Sequence, residues 1–183
     1  MQELINTSYE YKLVDKGQKS FKYDFISKGD REVLKRVNIG QISLDYPKYY
    51  NLGFGDITIN DNGEEFVDDK NRNANITDGN KILSTAFLCA MDFLTNIDDA
   101  TVVFFGNTPL KHRLYRMRMC GCLDSLKEYI TVKGAIIPNF KVQLDERGFK
   151  ELTQEIIPSD IYYEQFDPHN CNKYNFMTFT LNK

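Results

Sequence analysis

The sequence predicts an α+β fold: a mostly antiparallel sheet built from an N-terminal meander and C-terminal strands, with two main helices packed on one face. Three observations support this prediction. Apolar side chains alternate with polar ones near both ends of the chain, and two central stretches carry apolar residues at helical spacing. The composition of the 183 residues, 42% hydrophobic and 27% charged, is typical of a chain that buries a core.

The N-terminal strands are predicted over residues 9–14, 20–27 and 32–44, where apolar residues alternate. Turn-forming segments around Gly17 and Gly29 separate them. Because short turns join neighbouring antiparallel strands, the first 45 residues predict a meander.

The next segment, residues 47–56, is predicted to be an irregular connection, because Pro47, Gly53 and Gly55 interrupt it. It is either a binding loop or an ordinary turn with aromatic anchors. Residues 56–78 are acidic and rich in Asn, and Asp61-Asn62-Gly63 is a hairpin-type turn.

A calcium loop at this turn is disfavoured, since Thr58 would stand where the first ligand must be Asp. The acidic segment 56–78 is therefore a lid, a clamp or a plain solvated loop.

Two helices are predicted in the centre of the chain. Asp78 reads as the N-cap of a helix over about 79–97. Its core face carries apolar residues at helical spacing: Leu83, Ala86, Phe87, Ala90, Met91, Leu94 and Ile97. After a strand at 101–105, Thr108 as N-cap and Pro109 at the first position begin a second helix, over about 109–120. Gly121 is expected to end that helix, and its expected core face holds Leu110, Leu114 and Met117.

The C-terminal part is predicted to contribute strands at 126–137, 140–144, 161–166 and 174–181, with a short helix over 148–156. No repeat and no low-complexity linker interrupts the chain. We therefore expect a single domain over 1–183, with core motifs at about 20–120 and C-terminal strands and an extension at 121–183.

The start of the second helix predicts a phosphate cradle. Cations crowd its first turns, where the helix dipole favours anions, so a bound anion would turn an unfavourable placement into a favourable one. Backbone N–H groups and Thr108 would donate hydrogen bonds, Arg113 would be a bidentate fork, and Tyr115 would stack or offer its hydroxyl. The candidate ligand-binding residues at this corner are Gly106, Asn107, Thr108, Lys111, His112, Arg113, Tyr115 and Arg116, and those at the first helix start are Asp78 and Lys81.

The first functional hypothesis is thus a phosphate-bearing ligand, a nucleotide or RNA, bound at Gly106 to Arg116. If the two helices lie side by side, both of their N-termini border one cleft. A structural alternative is that these cations pair with the acidic segment or with solvent.

Two functional alternatives remain open. One is a non-catalytic interaction module, such as an antitoxin or phage-conflict component, whose basic helix docks an acidic protein partner. The other is a metal-independent ribonuclease in which His112 or Tyr115 moves protons and an arginine stabilises the charged phosphorane.

Other classes of function find little support in the sequence. The net charge of −3 gives no global basic field for nucleic acid. Cys120, Cys122, His169 and Cys171 make a zinc-like set, but their spacing is short of the usual pattern, so we expect no metal and no cofactor. The sequence shows no membrane-spanning run and no signal peptide, which predicts a cytoplasmic protein with reduced thiols and leaves its oligomeric state open.

Four segments in order resemble a family of small uncharacterised proteins found mainly in Bacteroidota. The segments are Tyr23–Gly29 with Lys35–Val37, Tyr50–Asp56, Asn75–Thr85 and Phe105–Arg116. The third is similar to Asn-Asn-Gly-Asp-x-x-Lys-Val-Leu-x-Thr and the fourth to Gly-Ser-Thr-x-x-Arg-x-Arg-Leu-Tyr, with Ile76, Asn107 and Lys111 departing from those patterns. The resemblance spans residues 20–120 and implies a compact cytosolic domain with a shared site, but no reaction; the tail after about residue 150 exceeds it.

Overall fold

The computed structural model describes residues 2–69, 77–138, 142–144, 150–152 and 160–182. The chain forms two compact units, Met1–Val102 and Val103–Lys183. The single-domain organisation that the sequence predicts stays a prediction.

The first unit contains two helices and the N-terminal strands. Its elements are α1 (Gln2–Asn6), β1 (Tyr11–Lys16), β2 (Ser20–Lys28), β3 (Glu32–Gln41), β4 (Tyr49–Ile59), β5 (Glu65–Asp68), α2 (Gly79–Asn96) and the start of β6 (Thr101–Phe104). The strand order is β1-β2-β3-β4-β6, and β5 pairs with β4. The consecutive pairs from β1 to β5 are antiparallel, which confirms the predicted meander.

Alternation in β2 and β3 places one side of each strand in the core. Phe21, Tyr23 and Phe25 are buried, and Val37 and Ile39 are buried on β3. The register pairs Phe21 with Ile39 and Tyr23 with Val37, so the two apolar rows lie on the same face. Helix α2 packs on this layer, with the Phe21 and Phe93 rings edge to face at 5.0 Å between centroids.

The segment predicted as an irregular connection is instead a long strand, β4. Tyr50 and Leu52 alternate into the core, and Lys35 of β3 forms a buried ion pair with Asp56 of β4, its register partner. Gly55 serves a close approach rather than a turn, because a Cβ there would lie 2.5 Å from the backbone oxygen of Asp68. The hairpin turn is confirmed: Gly63, with φ of 81°, lies between the paired strands β4 and β5.

Helix α2 agrees with its predicted bounds, and six of the seven residues predicted for its core face are buried. The exception is Ile97, which follows the helix as its C-cap and is half-buried. Asp78 does occupy the N-cap position, but its side chain makes no capping hydrogen bond. This carboxylate is used elsewhere, as the site geometry below shows.

The second unit contains the other long helix and the C-terminal strands. Its described elements after β6 are α3 (Pro109–Leu126), β7 (Ile130–Ile136), β8 (Val142–Leu144), β9 (Lys150–Leu152), β10 (Tyr162–Gln165), a 3-10 helix (Pro168–Lys173) and β11 (Phe176–Leu181). β11, β7 and β10 pair in that order and antiparallel, while β8 and β9 form a separate antiparallel pair.

Three predictions about the bounds and types of elements in this unit are wrong. Gly121 does not end α3, which continues to Leu126, so the following strand begins only at Ile130. Gly is tolerated inside a helix at a cost of about 1 kcal/mol, and here later residues of α3 are anchored in the core. Within the predicted helix 148–156, the described residues 150–152 form a strand, and the rest lies outside the described residues. The predicted α+β class with a mostly antiparallel sheet is confirmed.

Candidate functional site

The residues predicted to bind a ligand fall in both units. Asp78 and Lys81 begin α2 in the first unit, whereas Gly106 to Arg116 lie in the second. The cleft that both helix N-termini were predicted to border stays a prediction.

The loop before α3 is packed tightly onto the first turn of that helix. A Cβ on Gly106 would lie 2.2 Å from the backbone nitrogen of His112, so only glycine fits. The Gly106 N–H donates to Nδ1 of His112 at 3.3 Å. This donor of the predicted cradle is thus directed into the protein.

His112 is a buried bridge, only 5% exposed. Because Nδ1 accepts from Gly106, the ring carries its proton on Nε2, which donates to the carbonyl oxygen of Tyr174 at 2.9 Å. A ligand or a reacting phosphate would have to break one of these bonds to engage the imidazole.

The N-cap of α3 is confirmed. Thr108 Oγ1 accepts from the Lys111 N–H at 3.1 Å, and the Thr108 carbonyl accepts from the His112 N–H at 2.9 Å. Asn107, beside it in the loop, is half-buried. The Thr108 side chain therefore satisfies the Lys111 amide, which an anion would otherwise use, and the helix itself satisfies the His112 amide.

Two further candidates in α3 hold neighbouring elements. Arg116 donates to the Asn172 carbonyl at 3.1 Å and to the Tyr174 carbonyl at 3.4 Å, fastening the end of the 3-10 helix. The Tyr115 ring stacks on Phe104, with centroids 4.6 Å apart. Arg113, by contrast, is exposed and has no hydrogen bond or ion pair to the part of the chain that the structure describes.

The predicted core face of α3 is wrong, because Leu110, Leu114 and Met117 are 66%, 47% and 55% exposed. The buried residues of the helix are His112, Met119, Cys122 and Leu126. We call the exposed row Leu110, Leu114, Met117 the α3 apolar stripe. It lies about half a turn from the buried face, as positions at 100° per residue require.

The first unit contains an open groove of about 1150 Å³ beside the start of α2. One wall is an exposed apolar pair, Ile26 of β2 and its register partner Leu34 of β3. Tyr9, 8% exposed, lies at the groove and stacks on Phe25 with centroids 5.9 Å apart. Of this groove, the sequence predicted only the two residues at the start of α2, Asp78 and Lys81.

Asp78 forms the polar centre of this groove. Its Oδ2 accepts from the Tyr9 hydroxyl and from Ser27 Oγ, each at 2.6 Å. Its Oδ1 is buried and has no hydrogen-bond partner among the described residues. The Tyr9 oxygen in turn accepts from the Lys28 N–H at 2.9 Å. Burial, and then the bond to Asp78, raise the pKa of Tyr9, so the phenol remains a donor.

Lys81 lies one turn after Asp78 and lines the same groove. Its ammonium sits over the Tyr9 ring, 4.3 Å from the centroid, and it forms no ion pair with any described residue. Both candidates predicted at the first helix start are thus brought together at one groove.

Sequence analysis missed Tyr9 and Ser27 as site residues. Ser27 did leave a signal: it continues the inward row Phe21, Tyr23, Phe25 of β2 and is itself fully buried. A polar residue on the buried face of a strand needs a partner, which here is Asp78. Tyr9 left no such signal, because its partner is distant in the sequence.

The cysteines do not assemble a metal site within the described residues, where no group of three or more His, Cys, Asp or Glu could hold an ion. Cys120 and Cys171 do meet. Burial, followed by the hydrogen bond between the two thiols, raises the pKa of Cys120 to about 11. Cys122 is buried separately and donates to the Met119 carbonyl.

The fold and these two surfaces define an α+β protein with a ligand-sized groove and an exposed helix face. The chain belongs to the family of unknown function DUF6934, whose model matches residues 6–154. Searches of curated proteins and of solved structures find no match. The family's motifs and its distribution in Bacteroidota stay predictions. In the described part of the chain, no helix is both long enough and apolar enough to cross a membrane.

Proposed function

We propose that this protein is a non-catalytic interaction module that binds an acidic, helical segment of a partner protein along α3. The observation that carries this proposal is the α3 apolar stripe: three large side chains at i, i+4 and i+7 that are exposed rather than buried. This is the spacing by which one helix packs against another.

Charge around the stripe indicates the kind of partner. Residues 109–123 of α3 contain four cations, Lys111, Arg113, Arg116 and Arg118, and no carboxylate. Arg113 adjoins one edge of the stripe, and Lys111 and Arg118 lie toward the other edge, by their positions at 100° per residue. Acidic side chains flanking an apolar face would complement this surface and speed association.

A second copy of this chain fits the stripe less well. Pairing two stripes in parallel sets Arg113 near Arg118 of the other copy, because opposite flanks of the two helices meet. Pairing them antiparallel about the stripe centre sets Arg113 against Arg113. Either arrangement brings like charges together at the rim, which disfavours self-association.

The other candidate functions have weaker support. Arg113 is the one observation that favours a phosphate-bearing ligand at this corner, since its guanidinium is exposed, but Gly106, Thr108 and His112 are engaged within the protein. A metal-independent ribonuclease would need a free proton-transfer group, and both ring nitrogens of His112 are hydrogen-bonded.

The test uses a synthetic amphipathic helix with leucine at i, i+4 and i+7 and glutamate on both flanks, measured by fluorescence anisotropy. We expect Leu114→Glu to weaken binding at least about tenfold, because it places a charge in the stripe. Leu44→Glu is the matched control, since Leu44 is 73% exposed in the first unit. Binding should also weaken as salt rises, because rim charges are screened.

Two results would overturn the proposal. If a peptide with lysine flanks binds as tightly as the glutamate peptide, binding is non-specific hydrophobic contact that does not select an acidic partner. A dimer in light scattering that Leu114→Glu converts to a monomer would make the stripe a contact between copies of this chain.

A further inference from the structure

The groove beside α2 has the chemistry of a small-ligand site, independent of the α3 apolar stripe. We propose that it binds a phosphate monoester that also carries a hydroxyl or N–H donor, with the phosphate at Lys81 and the donor on Asp78 Oδ1. Sugar phosphates and nucleotides share this chemistry.

The need for a donor follows from Asp78. Its Oδ2 accepts two short hydrogen bonds, whereas Oδ1 is buried without a partner among the described residues. A buried acceptor left without a hydrogen bond costs about 1–3 kcal/mol. A ligand that donates to Oδ1 removes this cost, so the apo geometry selects for a donor.

The need for an anion follows from the lysines. Lys81 is held over the Tyr9 ring rather than by a carboxylate, and Lys12 lines the same groove without an ion pair to the described chain. A cation–π contact is worth about 0.5–1 kcal/mol at an exposed site, so it yields readily to a phosphate.

The two requirements are coupled through Lys81. Because Oδ1 is sealed, a side chain of the groove must move before a donor reaches it. We assign that movement to Lys81, whose flexible stem leaves the Tyr9 ring when its ammonium meets the phosphate. Ile26 and Leu34 then offer an apolar wall to the body of the ligand.

The experiment titrates the full chain with four probes: inorganic phosphate, ribose 5-phosphate, adenosine monophosphate and adenosine. Affinities come from calorimetry, and amide shifts in NMR locate the binding. We expect both phosphate monoesters to bind at the groove, and adenosine to bind at least tenfold more weakly because it lacks the phosphate. The ratio of the two monoesters distinguishes a sugar phosphate from a nucleotide.

Two variants separate the roles. Lys81→Gln should weaken the phosphate monoesters and inorganic phosphate alike by at least tenfold. Lys48→Gln, an exposed lysine of the same unit that pairs with Asp99, should change them less than twofold. Asp78→Asn keeps the shape but can turn an amide NH₂ toward the donor of the ligand. It also removes a negative charge, which favours every phosphate probe, so the affinity of the monoesters relative to inorganic phosphate should fall.

Three results would overturn the inference: no shifts at groove residues with any probe, equal losses in Lys81→Gln and Lys48→Gln, or adenosine binding as tightly as its monophosphate. If Asp78→Asn proves unstable in a thermal melt, Tyr9→Phe replaces it, since this change frees a lone pair of Oδ2 for a donor and should tighten the monoesters. Failure here leaves the α3 peptide result unaffected, because the two tests use different variants and different ligands.

Discussion

At the residue scale, the two histidines of the chain have opposite environments. His112 bridges a buried N–H and a buried carbonyl, whereas His169 is exposed in the 3-10 helix. We expect His112→Ala to lower the free energy of unfolding by about 2–4 kcal/mol, because it leaves both groups unsatisfied and opens a cavity. His169→Ala should stay within about 0.5 kcal/mol of wild type in urea unfolding. Equal urea midpoints for the two variants would show that the hydrogen bonds of His112 to Gly106 and Tyr174 do not stabilise the fold.

The Cys120 thiol allows a second prediction at this scale. Its pKa is raised to about 11, first by burial and then by the Cys171 thiol. Only the thiolate reacts with iodoacetamide, so at pH 8 we expect Cys120 to be alkylated roughly a hundredfold more slowly than a free cysteine. Peptide mass spectrometry measures the rate at each site.

The reference for Cys120 is the same chain in concentrated guanidinium, where the burial is lost. Cys171→Ser should speed the native reaction only modestly, because burial is the larger cause. A native rate equal to the unfolded rate would mean that the thiol is open to water.

At the element scale, alanine substitutions at two glycines of the second unit should have opposite effects on stability. A Cβ on Gly121 of α3 meets nothing within 4 Å, whereas one on Gly134 of β7 would lie 2.2 Å from Cδ1 of Tyr174. Gly121→Ala should therefore raise the free energy of unfolding by about 0.5–1 kcal/mol, because alanine is the better helix former. Gly134→Ala should lower it by about 1–3 kcal/mol through overpacking. Destabilisation by Gly121→Ala would mean that this face of α3 is covered.

Helix α3 also shows that sequence patterns alone do not determine which face of a helix is buried. Its sequence contains two rows with the same spacing: Leu110, Leu114, Met117 on one face, and Tyr115, Met119, Cys122, Leu126 on the other. The first row was assigned to the core on its helical spacing alone, but periodicity cannot choose between two such rows. The choice is made by contacts outside the helix, namely the Phe104 ring and the hydrogen bonds of His112.

The strands of the first unit were more predictable, because alternation in β2 and β3 belongs to the strands themselves. β4 was missed because Gly53 and Gly55 read as turn residues, whereas Gly55 is required by the backbone of β5 crossing close by. Asp78 was predicted as a helix cap for the same kind of reason. Local sequence patterns identify the helix start. The actual hydrogen-bond partners of Asp78 are Ser27 and Tyr9, which are 51 and 69 positions away.

At the scale of the whole molecule, tyrosines control the alkaline limit of stability. The chain contains eleven tyrosines and no tryptophan. Burial raises the pKa of Tyr11 and Tyr174 to about 12, and it raises that of Tyr9 and Tyr23 with further help from hydrogen bonds to Asp78 and Asp92. These phenols are neutral donors or core rings, so ionising them in place is unfavourable.

The sign of the pH effect follows from the raised values. An unfolded tyrosine ionises near pH 10, so between about 10 and 12 the folded state binds more protons than the unfolded one. Stability from these four groups is complete below pH 10 and is lost as the pH rises through the folded values. Tyrosinate absorbance should therefore show a late phase of at least four tyrosines that coincides with loss of the circular dichroism signal. In concentrated guanidinium all eleven should ionise together near pH 10. Tyr174→Phe should remove one equivalent from the late phase, and a single early phase in the native protein would show that these rings are open to solvent.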